Sequence, residues 1–197
     1  MKAVCLVTDN MIYIKDDFLN PELIDLLNND TSEFIEVKKP GRSFWVKIPS
    51  KEFLDLVISK VEKLENNSIE YVLGFFREAK ESQDNDWNIH NDSIVEGQQP
   101  DRALVLFISE DGYGDLNGTA FWEHYKHGEK FNNISPEEYN RLLIEDSNDR
   151  DKWLLKSVIG HKQNRVLSYP CNYFHSKYPN AFVNSRKVFV MFYKVNK

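Results

Sequence analysis

Cysteine is almost missing from this 197-residue chain. Cys5 and Cys171 are the only two, and neither stands in a zinc-type spacing, so there is no disulfide framework and no thiolate zinc site. Basic charge is also short: 25 Lys and Arg face 31 Asp and Glu, a net charge of −6, with a pI near 5.4. Broad nucleic-acid or anionic-membrane binding needs the opposite balance, so only a local basic groove stays open to it. Long apolar runs are absent. The longest lies near Val188 to Tyr193, against roughly 18 residues needed to span a bilayer. The N-terminal Met-Lys-Ala-Val-Cys-Leu-Val turns polar at Thr8-Asp9-Asn10, too early for a secretory signal. Internal repeats and low-complexity linkers are missing too. The expectation is one cytoplasmic domain over residues 1–197.

What the chain does have is 41% hydrophobic and 13% aromatic residues, most of the aromatics in short runs with β-branched neighbours, a sheet-forming composition. Residues 3–7 and 11–15 read as short strands. Asn20-Pro21 opens a helix whose buried face carries Leu23, Ile24, Leu26 and Leu27. Strands follow at 33–38 and 43–48 around Lys39-Pro40-Gly41. Ser50 caps a second helix, with Phe53, Leu54, Val57, Ile58, Val61 and Leu64 at helical spacing. Further strands are expected at 71–79, 102–108, 119–123, 165–169, 173–175 and 187–195. Residues 124–160 break the β pattern. Ser135-Pro136-Glu137-Glu138 starts a helix there, and Trp153-Leu154-Leu155 suggests another helical turn. Helices first and many short strands after describe a mainly β domain, a sandwich or jelly roll backed by helices, with 124–160 as a helical insertion or lid.

Two fragments carry the chemistry. His90-Asn91-Asp92 is an H-x-D sequence. On extended backbone, residues i and i+2 face the same side, so imidazole and carboxylate can converge on one ion. Such a pair is common by chance and needs company. His175, 85 residues on, is a candidate third ligand. Two His and one carboxylate on adjacent corners of an ion leave open positions, as in non-haem Fe(II) sites. Eleven residues past His175, Arg186 stands at the mouth of a strand apolar on both faces and therefore central. A guanidinium there needs an anionic partner, either an internal Asp or Glu or a carboxylate ligand bound bidentately.

In this order the residues resemble the 2-oxoglutarate- and Fe(II)-dependent dioxygenases of the prolyl-hydroxylase-like group. The resemblance takes in Tyr13 to Leu23, His90-x-Asp92, Ala103 to Ile108, Gly118-Thr119-Ala120-Phe121, Asn164 to His175 and Arg186, most of the chain except about 124–160. It implies a double-stranded β-helix with N-terminal helices on its major sheet. It also implies Fe(II) held by His90, Asp92 and His175, and Arg186 on the distal carboxylate of 2-oxoglutarate. The expected partners are then 2-oxoglutarate, O2 and an organic or peptidyl substrate, hydroxylated at a C–H bond with release of succinate and CO2. Related halogenases lose the carboxylate ligand, so Asp92 favours hydroxylation.

One departure stands out. Many members place Ser or Thr two residues after the arginine to share the cosubstrate carboxylate; here the position is Val188. Tyr71, Ser168 and Tyr169 are the candidate replacements. The Gly118-Thr119-x-Phe121-x-x-His124 run resembles a little-characterised branch of the group. His124, His127 and His161 read as structural or surface histidines, with His124 nearest the expected site mouth. The competing class is a non-catalytic, cupin-like module that binds a metal or small molecule.

Overall fold

The computed structural model describes residues 11–39, 42–79, 86–110, 117–131, 134–179 and 186–196. The strand expected at 3–7 lies outside these residues, as do most of the turn at 39–41 and the loop at 81–86. Ten strands and three α-helices are described: β1 (Tyr13–Lys15), α1 (Pro21–Asn28), β2 (Ile35–Lys39), β3 (Arg42–Lys47), α2 (Lys51–Glu65), β4 (Ile69–Ala79), β5 (Arg102–Phe107), β6 (Gly118–His124), α3 (Pro136–Glu145), β7 (Trp153–Gly160), β8 (Val166–Pro170), β9 (His175–Tyr178) and β10 (Arg186–Val195).

The helices start where side chains cap them. Asn20 accepts from the Leu23 amide, Ser50 from Phe53 and Ser135 from Glu138, and Pro21 and Pro136 occupy a first-turn position that lacks an intrahelical donor anyway. Helix α2 ends at Asn66 in the left-handed region, with φ of 56°.

A seven-stranded sheet runs β1-β8-β5-β10-β4-β3-β2, and a three-stranded sheet runs β7-β6-β9. All pairings are antiparallel. Strand β10 is central, between β4 and β5, as its two apolar faces require. The outer face of the large sheet is covered by the helices: Phe53, Val57 and Val61 of α2 pack with Phe76, Leu104, Phe189 and Met191. Burying each such side chain contributes about 1.5–3 kcal/mol. The inner face carries Ala103, Val105, Phe107, Leu167, Tyr169 and Val188 and looks toward the smaller sheet. This is the double-stranded β-helix, mainly β with flanking helices.

Below α2 the outer layer contains a buried ionic knot. Glu65 Oε1 lies 3.0 Å from Arg102 Nε and accepts from the Tyr193 hydroxyl. Arg102 also donates to Ser168 Oγ at 2.9 Å and to the Met11 carbonyl at 2.8 Å. The knot ties α2, β5, β8, β10 and the N-terminal segment together.

Trp153-Leu154-Leu155 is a correction. These residues open strand β7, paired with β6 in the register His124↔Trp153 and Trp122↔Leu155. Among the described residues of the 124–160 segment, helix is confined to α3 and a short 3-10 turn at Arg150–Lys152. A partner strand overrides a local helical pattern because its hydrogen bonds and packing outweigh propensity. His175, expected at the end of a strand, instead begins β9.

Candidate metal centre

The ligand triad is assembled by backbone pairing. His90 and His175 form an antiparallel bridge: the His90 amide donates to the His175 carbonyl at 3.1 Å and the His175 amide returns a bond of 2.8 Å. Two residues on, the Asp92 amide donates to the Cys171 carbonyl at 2.8 Å. The H-x-D segment is thus pinned beside the strand that carries the third residue, and the period of two brings both of its functional side chains to one face. The imidazole centroids are 4.6 Å apart. One donor atom from each of His90, Asp92 and His175 falls within 4.8 Å of the others, the only such His/Cys/Asp/Glu group among the described residues.

Both rings are oriented alike. His90 Nδ1 donates to the Asn88 carbonyl at 2.6 Å, and His175 Nδ1 donates to the Tyr173 carbonyl at 3.1 Å, each two residues back. Those carbonyls can only accept, which places the ring proton on Nδ1 and leaves Nε2 with its lone pair. The two Nε2 atoms face the same carboxylate, His90 at 3.6 Å from Asp92 Oδ1 and His175 at 3.2 Å from Oδ2. Neighbouring donors on an ion with bonds near 2.1 Å sit about 3 Å apart. The donor set therefore fits a divalent metal with little rearrangement. The backbone carbonyls are the outer partners that such ligands normally have.

Asn88 adopts a left-handed φ of 47°, a conformation that Asn tolerates better than most residues. Its amide donates to Asn148 Oδ1 at 2.8 Å. The Ile89 amide donates to the Ser147 carbonyl at 3.0 Å. From α3, the Tyr139 hydroxyl donates to the Asn91 carbonyl at 2.8 Å and accepts from the Asn91 amide at 3.3 Å. The segment expected as an insertion therefore grips the ligand loop, residue by residue. Nothing in the isolated sequence pairs Tyr139 with Asn91.

The triad opens into a cavity of about 530 Å³ between the two sheets, within the usual range of small-molecule sites. Arg186 lines it. The residue is buried, its guanidinium 5.1 Å from the Phe107 ring centre. Of the three hydroxyl candidates, Tyr169 lines the cavity, with its ring 4.8 Å from that of His175. Burial, reinforced by the Asp92 charge, holds the Tyr169 hydroxyl well above the usual tyrosine range, so it is a neutral donor. Ser168 is a correction: it faces the opposite side, bonded to Tyr193 and Arg102 in the outer knot. Tyr71 is another. Its ring lies with Phe189 at the outer face of Gly74 and does not line the cavity.

Two cavity residues went unnoticed in the sequence. Thr119, within the Gly118-Thr119-x-Phe121 run, is buried and lines the cavity; the strand alternation around it was the available signal. Arg77 lines the cavity from β4, directly opposite Val188 in the register. His124 lies away from the cavity. It is buried against Trp153, with Nε2 3.1 Å from Asp146 and Nδ1 accepting from the Lys126 amide. Desolvation lowers its pKa, so His124 is a structural, neutral histidine, set apart from the site mouth beside which it was expected.

No family model matches the sequence, and no curated protein does. Solved structures do resemble it. A viral collagen prolyl hydroxylase from Paramecium Bursaria Chlorella virus-1, solved with 2-oxoglutarate, superposes with a TM-score of 0.57 at 13% identity, over 94% of this chain and 96% of that one. HygX from Streptomyces hygroscopicus, with nickel, 2-oxoglutarate and hygromycin B bound, gives 0.59 at 11%, over 95% and 84%. SnoK, a non-heme alpha-ketoglutarate-dependent carbocyclase from nogalamycin biosynthesis, gives 0.63 at 11%, over 94% and 79%. The chain has the double-stranded β-helix fold of the prolyl-hydroxylase-like 2-oxoglutarate/Fe(II) oxygenases.

Proposed function

We propose that this protein is an Fe(II)- and 2-oxoglutarate-dependent dioxygenase that hydroxylates a C–H bond of a small molecule, an amino acid or a protein side chain. The observation that carries the reading is the pair of imidazoles pre-set on carbonyls, with both Nε2 atoms aimed at Asp92 in a cavity that also receives Arg186. Structural neighbours that bind 2-oxoglutarate and a metal support it.

Iron, 2-oxoglutarate and O2, when bound, would supply the oxidation that puts one oxygen atom into a substrate C–H bond and the other into succinate, with release of CO2. The protein orients the participants. His90, Asp92 and His175 would hold the metal ion, at the wall of the cavity that all three line. The Asn88 and Tyr173 carbonyls keep each imidazole in the tautomer that can ligate. Arg186 receives the distal carboxylate as a bidentate partner. With Val188 in the usual hydroxyl position, Tyr169 and Thr119, which line the same cavity as Arg186, would supply the hydroxyls that share that carboxylate. The apolar side chains of the inner face lower the local dielectric and strengthen these electrostatic contacts.

Anaerobic Fe(II) titration with and without 2-oxoglutarate tests the reading. Mutual tightening, a cosubstrate-dependent absorption band, and iron-dependent succinate formation that vanishes in Asp92→Ala are expected. Iron-loaded protein that shows neither the band nor 2-oxoglutarate consumption points instead to a binding module.

A further inference from the structure

The inner face of the large sheet is covered unevenly. Over β8 and β5 it is closed: Phe121 of β6 meets Tyr169 edge-on with ring centres 5.2 Å apart, and Ala103, Phe107 and Leu167 are 0% exposed. Across β4, β3 and β2 the described residues leave it open. Leu73, Phe75, Phe44, Val46 and Val37 lie on this face, line the cavity and are only half-buried. Phe76, the outward neighbour of Phe75 on β4, is by contrast buried in the core beneath α2. One side of β4 is packed and the other is not.

Register makes the open half a single apolar floor. Val37 is opposite Phe44, Val46 follows two residues on along the same face of β3, and Phe75 and Leu73 continue that face along β4. Ile48 and Ile94 line the same cavity and are 83% and 62% exposed, so its mouth is apolar too. Ile94 is two residues past the ligand Asp92. The apolar surface therefore starts beside the metal centre and runs outward to β2. A contiguous exposed apolar surface marks a place where something binds. Here the surface is the floor of the concavity of about 530 Å³ that holds the triad. A partner protein would have to enter that concavity to cover the floor, whereas a small molecule fills it.

We propose that the substrate is a hydrophobic small molecule recognised by its apolar body, which lies on the β4–β3–β2 floor, is held at the mouth by Ile48 and Ile94, and presents an apolar carbon to the metal centre. This rests on the oxygenase reading of the same cavity.

The test needs no turnover. Protein loaded with Mn(II) and saturated with 2-oxoglutarate without oxygen is titrated calorimetrically with 1-butanol, 1-hexanol and 1-octanol, and with triethylene glycol as a polar chain of similar length. Burial strengthens binding about fourfold per methylene, so 1-octanol is expected to bind at least about tenfold more tightly than 1-hexanol, and triethylene glycol more weakly than either. Against a Zn(II) control, Mn(II) should broaden the chain proton resonances of bound 1-octanol more than those of the carbon bearing the hydroxyl. Leu73→Asn should weaken 1-octanol binding at least about threefold, and Leu73→Met should retain it. The wild-type series stands even if a variant folds poorly. Affinity that does not rise with chain length overturns the proposal, as does equal binding of triethylene glycol, strongest broadening beside the hydroxyl, or unchanged 1-octanol affinity in folded Leu73→Asn. Displacement of 2-oxoglutarate by 1-octanol overturns it by putting both ligands in one place. A wild-type dimer that Leu73→Asn dissociates in light scattering also overturns it, by assigning the floor to a second copy of the chain. Failure of 2-oxoglutarate to bind the wild type is a separate result that removes the oxygenase reading. The alkanol series on the metal-loaded protein alone then still decides whether the floor takes an apolar ligand.

Discussion

Replacing Tyr139 with Phe removes one oxygen atom from α3, and the structure predicts that the metal site will feel it. The hydroxyl holds both backbone groups of Asn91, at 2.8 Å to the carbonyl and 3.3 Å from the amide, and Asn91 sits between the ligands His90 and Asp92. One good and one weak hydrogen bond together are worth about 1–2 kcal/mol. If the bonds only stabilised the fold, Tyr139→Phe would lower the melting temperature by about 2–4 °C per kcal/mol and leave metal affinity alone. If they pre-set the ligand loop, the same free energy is drawn from metal binding. Affinity then falls about tenfold for each 1.4 kcal/mol, in line with the 10- to 100-fold effects of outer-shell changes. Competition with a chromogenic chelator measures the affinity, and a thermal melt of metal-free protein measures the fold. Tyr125→Phe, at a residue 69% exposed, is the control. A melting shift with unchanged metal affinity refutes the positioning role; so does an equal affinity loss in the control.

Arg186→Leu should raise the KM for 2-oxoglutarate by the equivalent of about 2–5 kcal/mol, because it strips a buried carboxylate of its cationic partner. Thr119→Val should raise it by a few fold, whereas Ser168→Ala should change stability and leave KM untouched; initial rates at varied 2-oxoglutarate check all three. Glu65→Ala leaves Arg102 buried without its carboxylate, so urea unfolding should show a loss of about 3–5 kcal/mol. Asp16 ties β1 to the start of β8: hydrogen bonds from Arg165 and then Lys162 hold its pKa at about 2, against 3.8 for the free side chain. A folded-state pKa below the unfolded one means stability present above pH 4 and lost as pH falls toward 2. The stability gap between wild type and Asp16→Asn should therefore close over that window, and a pH-independent gap would count against the ion pairs.

Much of the architecture was legible because its signals are local. Asn20, Ser50 and Ser135 cap the helices at the expected places because capping needs only a side-chain oxygen three residues before an amide. The run from Lys187 to Tyr193 announced a central strand because a strand apolar on both faces has to be covered on both. His90-x-Asp92 declared its own convergence through the two-residue period.

Other features depended on partners distant in the chain. Ser168 and Tyr169 are adjacent, and alternation guarantees that they face opposite ways. Only the pairing of β8 with β5 and β1 decides that Tyr169 meets the cavity and Ser168 the outer knot. Trp153 to Leu155 became strand because β6 lay beside them, a contact no local pattern encodes. Arg77 reads as an ordinary polar strand residue until the register sets it opposite Val188, within the cavity. The chain by itself determined which residue types can hold a metal and an acid, and in what order. The tertiary structure decided which face each one sees, because a strand's inward side is fixed by long-range register and not by the residues along it.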